Sequence, residues 1–146
     1  AAAMAASWQQ RAFAGDHYAL VFGNADTWSL KYNMVWDKVW GTGLFSQEFM
    51  DRELKNNKKY FNKYGMPLDS RADYTKSDWL VWVASMASDK KVFEEFIAPL
   101  WSAYNDTSTR VAMTDWYDTK SGNMVEFRHR TVQGGLFMKI LMEKKF

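Results

Sequence analysis

The sequence predicts an all-α chain of three helical hairpins, an incomplete part of a larger ring, and three observations lead there. Apolar residues return at steps of three, four or seven in six separate segments, the spacing of one helix face. Gly, Asn and Pro punctuate the joins between them. The segments also alternate between amphipathic and apolar nearly all round, the apolar ones opening near Trp28, Trp79 and Val132, a repeat of about fifty residues.

The first helix is expected over residues 4–22, where Met4, Trp8, Ala12, Ala19 and Phe22 share a side among Gln9, Gln10, Arg11 and Asp16. Gly23 and Asn24 end it. Asp26 or Thr27 can cap a second helix over residues 28–40, in which Leu30, Tyr32, Met34, Val35, Trp36 and Val39 cover most of the circumference. Beyond Gly41 and Gly43, Ser46 caps a third, with Met50, Leu54, Phe61 and Tyr64 set among charged neighbours such as Arg52, Lys55 and Lys59. Gly65 supplies its stop and Pro67 prevents continuation. Thr75, with Asp78 three residues on, is an acidic capping box for a fourth helix carrying Trp79, Leu80, Trp82, Val83 and Met86. Asp89 caps a fifth, where Phe93, Phe96, Ile97, Leu100 and Tyr104 oppose Lys90, Lys91, Glu94 and Glu95, and Pro99 is expected to bend or restart it. A long irregular stretch, residues 105–130, leads to a last apolar helix over residues 132–142, where Gly134 and Gly135 let a neighbouring backbone come close.

Composition narrows the function classes. With 146 residues, 47% hydrophobic and 25% charged, the chain can close one core. Its 8 Trp, 7 Tyr and 10 Phe exceed what that core needs, so some should line a cleft or an interface. A net charge of +2, spread along the chain, offers nucleic acid no basic stripe, and no such partner is expected. Cysteine is absent, which removes thiol nucleophiles and Cys-type zinc sites. His17 and His129 match no zinc spacing and read as ordinary polar residues; no cofactor is expected, and whether a metal sits among the carboxylates stays open. No apolar run approaches the roughly twenty residues that cross a bilayer, and no membrane partner is expected. The alanine-rich opening runs straight into Trp8 and reads as a helix entered partway, with earlier hairpins missing upstream.

If the buried helices run in one direction, the segments before them, residues 23–27, 65–75 and 105–131, meet at one rim. Two of these are rich in acids, arginines and aromatics: Asp69, Arg71 and Asp78 in or beside one, and Thr114-Asp115-Trp116-Tyr117-Asp118-Thr119 with Arg128 and Arg130 in the other. Helix N-termini at that rim would add N–H donors suited to an anion or a developing oxyanion. Asp78 reads first as a helix cap, whereas Asp115 has no helix directly after it. For Arg71, Arg128 and Arg130, salt bridges that tie down loops and direct substrate contact remain open alternatives. Asn105-Asp106-Thr107 is a glycosylation triplet that matters only in a eukaryotic secretory host.

Five ordered pieces carry a resemblance: Trp28-Ser29-Leu30-Lys31-Tyr32-Asn33, Tyr64-Gly65-Met66-Pro67-Leu68-Asp69-Ser70-Arg71, Lys76-Ser77-Asp78-Trp79, Thr114-Asp115-Trp116-Tyr117-Asp118-Thr119 and Arg130-Thr131-Val132-Gln133-Gly134-Gly135. Together they resemble the C-terminal part of the glutaminase A family. The resemblance implies an (α/α)6 toroid of six hairpins, of which residues 1–146 are the C-terminal portion. It further implies a secreted or periplasmic hydrolase that converts L-glutamine to L-glutamate and ammonia. An N-terminal β-rich region and the earlier hairpins, normal in the family, are missing here, so the fragment is expected to be inactive alone.

Three functions are weighed. In an amidohydrolase, Asp115 with Asp69 as partner would activate water while Arg71 or Arg130 holds the substrate carboxylate, without a cofactor. In a glycoside hydrolase, two carboxylates would flank a sugar stacked on Trp116, Tyr117 or Trp28. As a scaffold without chemistry, the rim residues would knit loops together. The exposed inner wall would then make the isolated fragment self-associate.

Overall fold

A computed structural model describes residues 1–110 and 112–144. The helices are α1 (Ala2–Ala12), α2 (Val35–Trp40), α3 (Gln47–Asn57), α4 (Ser77–Ser85), α5 (Lys90–Asp106) and α6 (Met138–Glu143), with 3-10 turns at Tyr32–Met34, Lys58–Tyr60 and Thr131–Phe137. Two short strands, β1 (Tyr74–Lys76) and β2 (Trp116–Asp118), pair antiparallel in the register Tyr74↔Asp118, Thr75↔Tyr117 and Lys76↔Trp116. No helix among the described residues is long and apolar enough to cross a membrane.

The sheet corrects the all-α expectation, since helix accounts for about half of the chain and a strand pair joins it. Both strands lie in or beside stretches expected to be irregular. Their middle residues, Thr75 and Tyr117, are buried while the flanking ones are half-buried, the alternation of an extended chain. Three residues are too few for that alternation to stand out in a sequence.

The expected set of three hairpins is also corrected, because several helices are shorter than their apolar patterns. After Ala12 the chain turns back through Gly15, whose φ of 88° no right-handed helix accepts, and Ala19 N–H donates to Ala12 O at 2.7 Å. Residues 28–30 are extended rather than helical. Leu30 N–H donates to Leu68 O at 2.9 Å and Ser70 N–H to Trp28 O at 3.1 Å, pairing this stretch with the segment that carries Asp69. Lys31 then takes a left-handed conformation, φ 50° and ψ 35°, so helix begins only at Tyr32. Near the end, Gly134 and Gly135 lower helix propensity, and residues 131–137 wind as 3-10 turns before α6.

Two of the expected caps hold. Ser46 caps α3 by accepting from Phe49 N–H at 3.1 Å, and Asp89 caps α5 by accepting from Lys91 N–H at 2.8 Å. Thr75 does not cap α4; it lies within β1, and the cap position belongs to Lys76 without a side-chain bond. Helix α5 continues through Pro99 without a restart. The core gathers on α4, which packs against α5, α6, and the turns at 32–34 and 131–137. Leu80, Val83, Leu54, Met66, Phe96 and Tyr117 are almost fully enclosed there. Each such side chain contributes about 1.5–3 kcal/mol of transfer free energy. α4 is apolar on most sides because it is surrounded, which is why its sequence reads as a buried helix.

Candidate functional site

The β1–β2 ladder brings two acids to the start of α4. Lys76 ends β1 opposite Trp116, and Ser77 N–H donates to Asp115 O at 2.8 Å, so the residues flanking each strand end are drawn together. Asp115 is fully enclosed. Arg130 grips it with both edges of its fork, Nε to Oδ1 at 3.0 Å and Nη2 to Oδ2, and Lys76 Nζ lies 3.4 Å from Oδ2. Burial alone would push this carboxyl up. The Arg130 hydrogen bonds and the Lys76 and Arg130 charges outweigh it and hold the group below the usual carboxylate range.

Asp78 has the opposite environment. It is 3% exposed, and Oδ1 has no hydrogen-bond partner. Burial, followed by the neighbouring Asp115 charge and against the opposition of nearby backbone N–H groups and Lys76, pushes its pKa up to about 6. Gly135 covers it: a Cβ at that glycine would lie 2.8 Å from Asp78 Cβ and 2.8 Å from Trp82 Nε1. Ser77 Oγ, Trp82 Nε1 and Gln133 Nε2 are likewise buried without hydrogen-bond partners, as are side-chain atoms of Asn56 and Asn57 on α3. Tyr104, whose hydroxyl donates to Thr114 O at 3.4 Å and Gln133 Oε1 at 3.3 Å, is pushed up to about 12, mainly by burial.

The other expected acid, Asp69, lies in a separate but nearby cleft. Arg71 binds it through Nε to Oδ1 at 2.8 Å and Nη2 to Oδ2 at 2.7 Å, and these bonds hold its carboxyl below the usual range. No direct bond joins Asp69 to Asp115. Tyr32 lies between the two regions: burial raises its hydroxyl first, and the charges of Asp69 and Asp78 both add to the rise. Its ring stacks on Trp79 at 3.9 Å and 6°.

The arginines expected to meet substrate are therefore each engaged with an expected catalytic acid, Arg130 with Asp115 and Arg71 with Asp69. Trp116 is half-buried, its edge against Tyr74 and its ring beneath the Lys76 ammonium at 4.3 Å. Tyr117 points into the core and donates to Tyr64 O at 2.8 Å. Trp28 stacks on Tyr60 at 4.1 Å. Asp78, Lys76 and Tyr32 were not singled out for chemistry by sequence. The signals for Asp78 are its place among the rim acids, beside Trp79 at a helix start, and the Lys76-Ser77-Asp78-Trp79 piece, and an ordinary cap is the first reading of them. His17 is held by Asp16 and Thr27 O, and among the described residues no group of three or more His, Cys, Asp or Glu could hold a metal.

Two carboxyls with opposed protonation behaviour, one cation-bound and one not, can divide the work of holding charge and moving a proton. The family described as the glutaminase A six helical-hairpin domain matches residues 1–140. Glutaminase A of Aspergillus oryzae (strain ATCC 42149 / RIB 40) is 36% identical over 144 residues, 94% of this chain and 21% of the relative. A protein of Arthroderma benhamiae (strain ATCC MYA-4681 / CBS 112371) named "Probable glutaminase" is 34% identical over 106 residues, 70% of this chain and 12% of the relative. The chain thus spans about a fifth or less of the length of these relatives. No solved structure matches it.

Proposed function

We propose, for a chain that belongs to the glutaminase A six helical-hairpin domain family, that it is the C-terminal portion of such a domain and supplies part of an amide-hydrolysing site. The reaction is conversion of L-glutamine and water to L-glutamate and ammonia in the complete protein, with this portion inactive by itself. The observation that carries the reading is the pair Asp78 and Asp115 at the start of α4, one carboxyl raised to about 6 and the other held ionised.

Amide hydrolysis needs a group that accepts a proton from water as its oxygen attacks the carbonyl carbon, and returns a proton to nitrogen as the C–N bond breaks. A carboxyl that titrates near 6 suits both halves of that cycle at neutral pH. Asp78 fills this role from its place at the start of α4. Asp115 keeps its negative charge and, with Lys76 and Arg130, fixes the field in which Asp78 works. Lys76 is the cation nearest to hand for the developing oxyanion.

The complete protein, incubated with L-glutamine and separately with oligosaccharides, tests the reading. Ammonia release supports it. Sugar release without ammonia favours a glycoside hydrolase, and neither product would leave the residues as a scaffold.

A further inference from the structure

We infer that the cleft between residues 29–34 and 68–71 is a subsite for the α-ammonium and α-carboxylate of a free L-amino acid. The inference rests on the amide-hydrolase reading above and moves Asp69 from chemistry to recognition. The cleft holds about 360 Å³, with Trp8, Tyr32 and Trp79 in its walls and Lys31, Asp69 and Arg71 as its charged groups. One anion and two cations on an aromatic floor complement a zwitterion better than a neutral sugar, which needs no fixed charge of either sign.

Each charge retains bonding capacity. Asp69 is 13% exposed at its side chain, and each oxygen that accepts from Arg71 has a further lone pair. Arg71 is 75% exposed and uses two of its five side-chain N–H groups on Asp69. Lys31 donates to Glu53 at 2.6 Å and to Ser29 O at 3.3 Å, leaving a third ammonium proton. Its left-handed backbone, which L residues seldom adopt, is held by the buried Glu53 pair, and strain of this kind concentrates at ligand sites.

Direction follows from the Tyr32–Trp79 stack, 3.9 Å apart and nearly parallel at 6°, because Trp79 is the residue after Asp78 at the start of α4. A head group bound at Asp69 and Arg71 would send its side chain along the stacked Tyr32–Trp79 pair toward Asp78. An ion pair that merely closed the turn at Asp69–Ala72 would discriminate among no ligands.

Isothermal titration of the complete protein with three probes decides it: L-glutamate, glutarate, which lacks the ammonium, and 4-aminobutyrate, which lacks the α-carboxylate. L-Glutamate should bind tighter than either by about tenfold or more, the worth of one charge-assisted bond. Asp69→Asn should abolish the preference over glutarate, and Arg71→Met the preference over 4-aminobutyrate. Equal binding of all three, no binding of L-glutamate, or preferences kept in both variants would overturn the subsite. The wild-type comparison stands even if a variant does not fold. Preferences without ammonia release would leave the subsite and remove the hydrolase reading, while ammonia release without preferences would do the reverse.

Discussion

Asp78 sits beside Asp115 because the residue before it, Ser77, donates its N–H to Asp115 O at 2.8 Å, yet cations clamp only Asp115. A carboxyl raised to about 6 in the folded chain, against 3.8 unfolded, stabilises the fold while protonated. Its contribution is complete below about pH 4 and is lost as pH rises toward 6, because the unfolded chain releases that proton first. Asp78→Asn should remove this fall, which urea titrations of the complete protein at pH 4 and pH 7 would register as a smaller difference between the two. Ammonia release should drop by about 10²–10⁴-fold in the same variant. Unchanged turnover would remove Asp78 from the chemistry.

The helical half of the fold was legible wherever a cap or a sustained stripe marked it: Ser46 before α3, Asp89 before α5, and the apolar circumference of α4. The rest was hidden for identifiable reasons. Ala19 and Phe22 continue the spacing of Met4, Trp8 and Ala12, but Gly15 breaks the helix between them. Residues 28–30 look helical because Leu30 is buried and Trp28 half-buried at helical spacing from later apolar residues, while backbone groups of Trp28 and Leu30 bond to the Asp69 segment, a long-range pairing no local pattern carries. The site residues Asp115, Asp69 and the arginines stood out by type. That Arg130 holds Asp115, and that Asp78 lacks such a clamp, depends on a three-residue ladder too short to read, whereas Arg71 reaches Asp69 from two residues along the chain.

Asp115 titrates in the opposite sense. Its lowered pKa stabilises the fold above the unfolded value of 3.8, and that support is lost as pH falls through the folded value. Asp115→Asn leaves the mostly buried Lys76 and the part-exposed Arg130 facing a neutral amide, which should destabilise the fold near pH 7, by less than the ~3–5 kcal/mol of a fully buried pair because solvent reaches Arg130. The gap to wild type should narrow in acid. A constant gap from pH 3 to pH 7 in denaturant titrations would mean that the carboxylate charge carries none of the stability.

Two adjacent glycines should respond differently to the same methyl group. At Gly135 a Cβ would meet Asp78 Cβ and Trp82 Nε1 at 2.8 Å, and neither contact is the free end of a flexible chain. Gly135→Ala should destabilise by about 1–3 kcal/mol. At Gly134 nothing lies within 4 Å and φ is not positive, so Gly134→Ala should be neutral or stabilise by about 0.4–1 kcal/mol. Thermal melts of the pair suffice, and equal effects would mean that residues 131–137 do not press on α4 as described.

Large apolar side chains remain outside the core, notably Met4 at 77% exposure, Trp40 at 71%, Trp101 at 69% and Phe137 at 62%. Single exposed apolar residues are common, but α2 adds Trp36 packed on Trp40 and on Trp82, which makes a wider aromatic surface than one residue would. In the 146-residue chain by itself this surface should drive self-association, with an average mass that rises with concentration in light scattering. Trp40→Ser should lower that rise without moving the melting temperature by more than a few degrees, because the indole is mostly in solvent and its removal opens no cavity. A chain that stays monomeric at high concentration would show that these aromatics need no partner, and that the apolar excess in the composition serves the cleft and core alone.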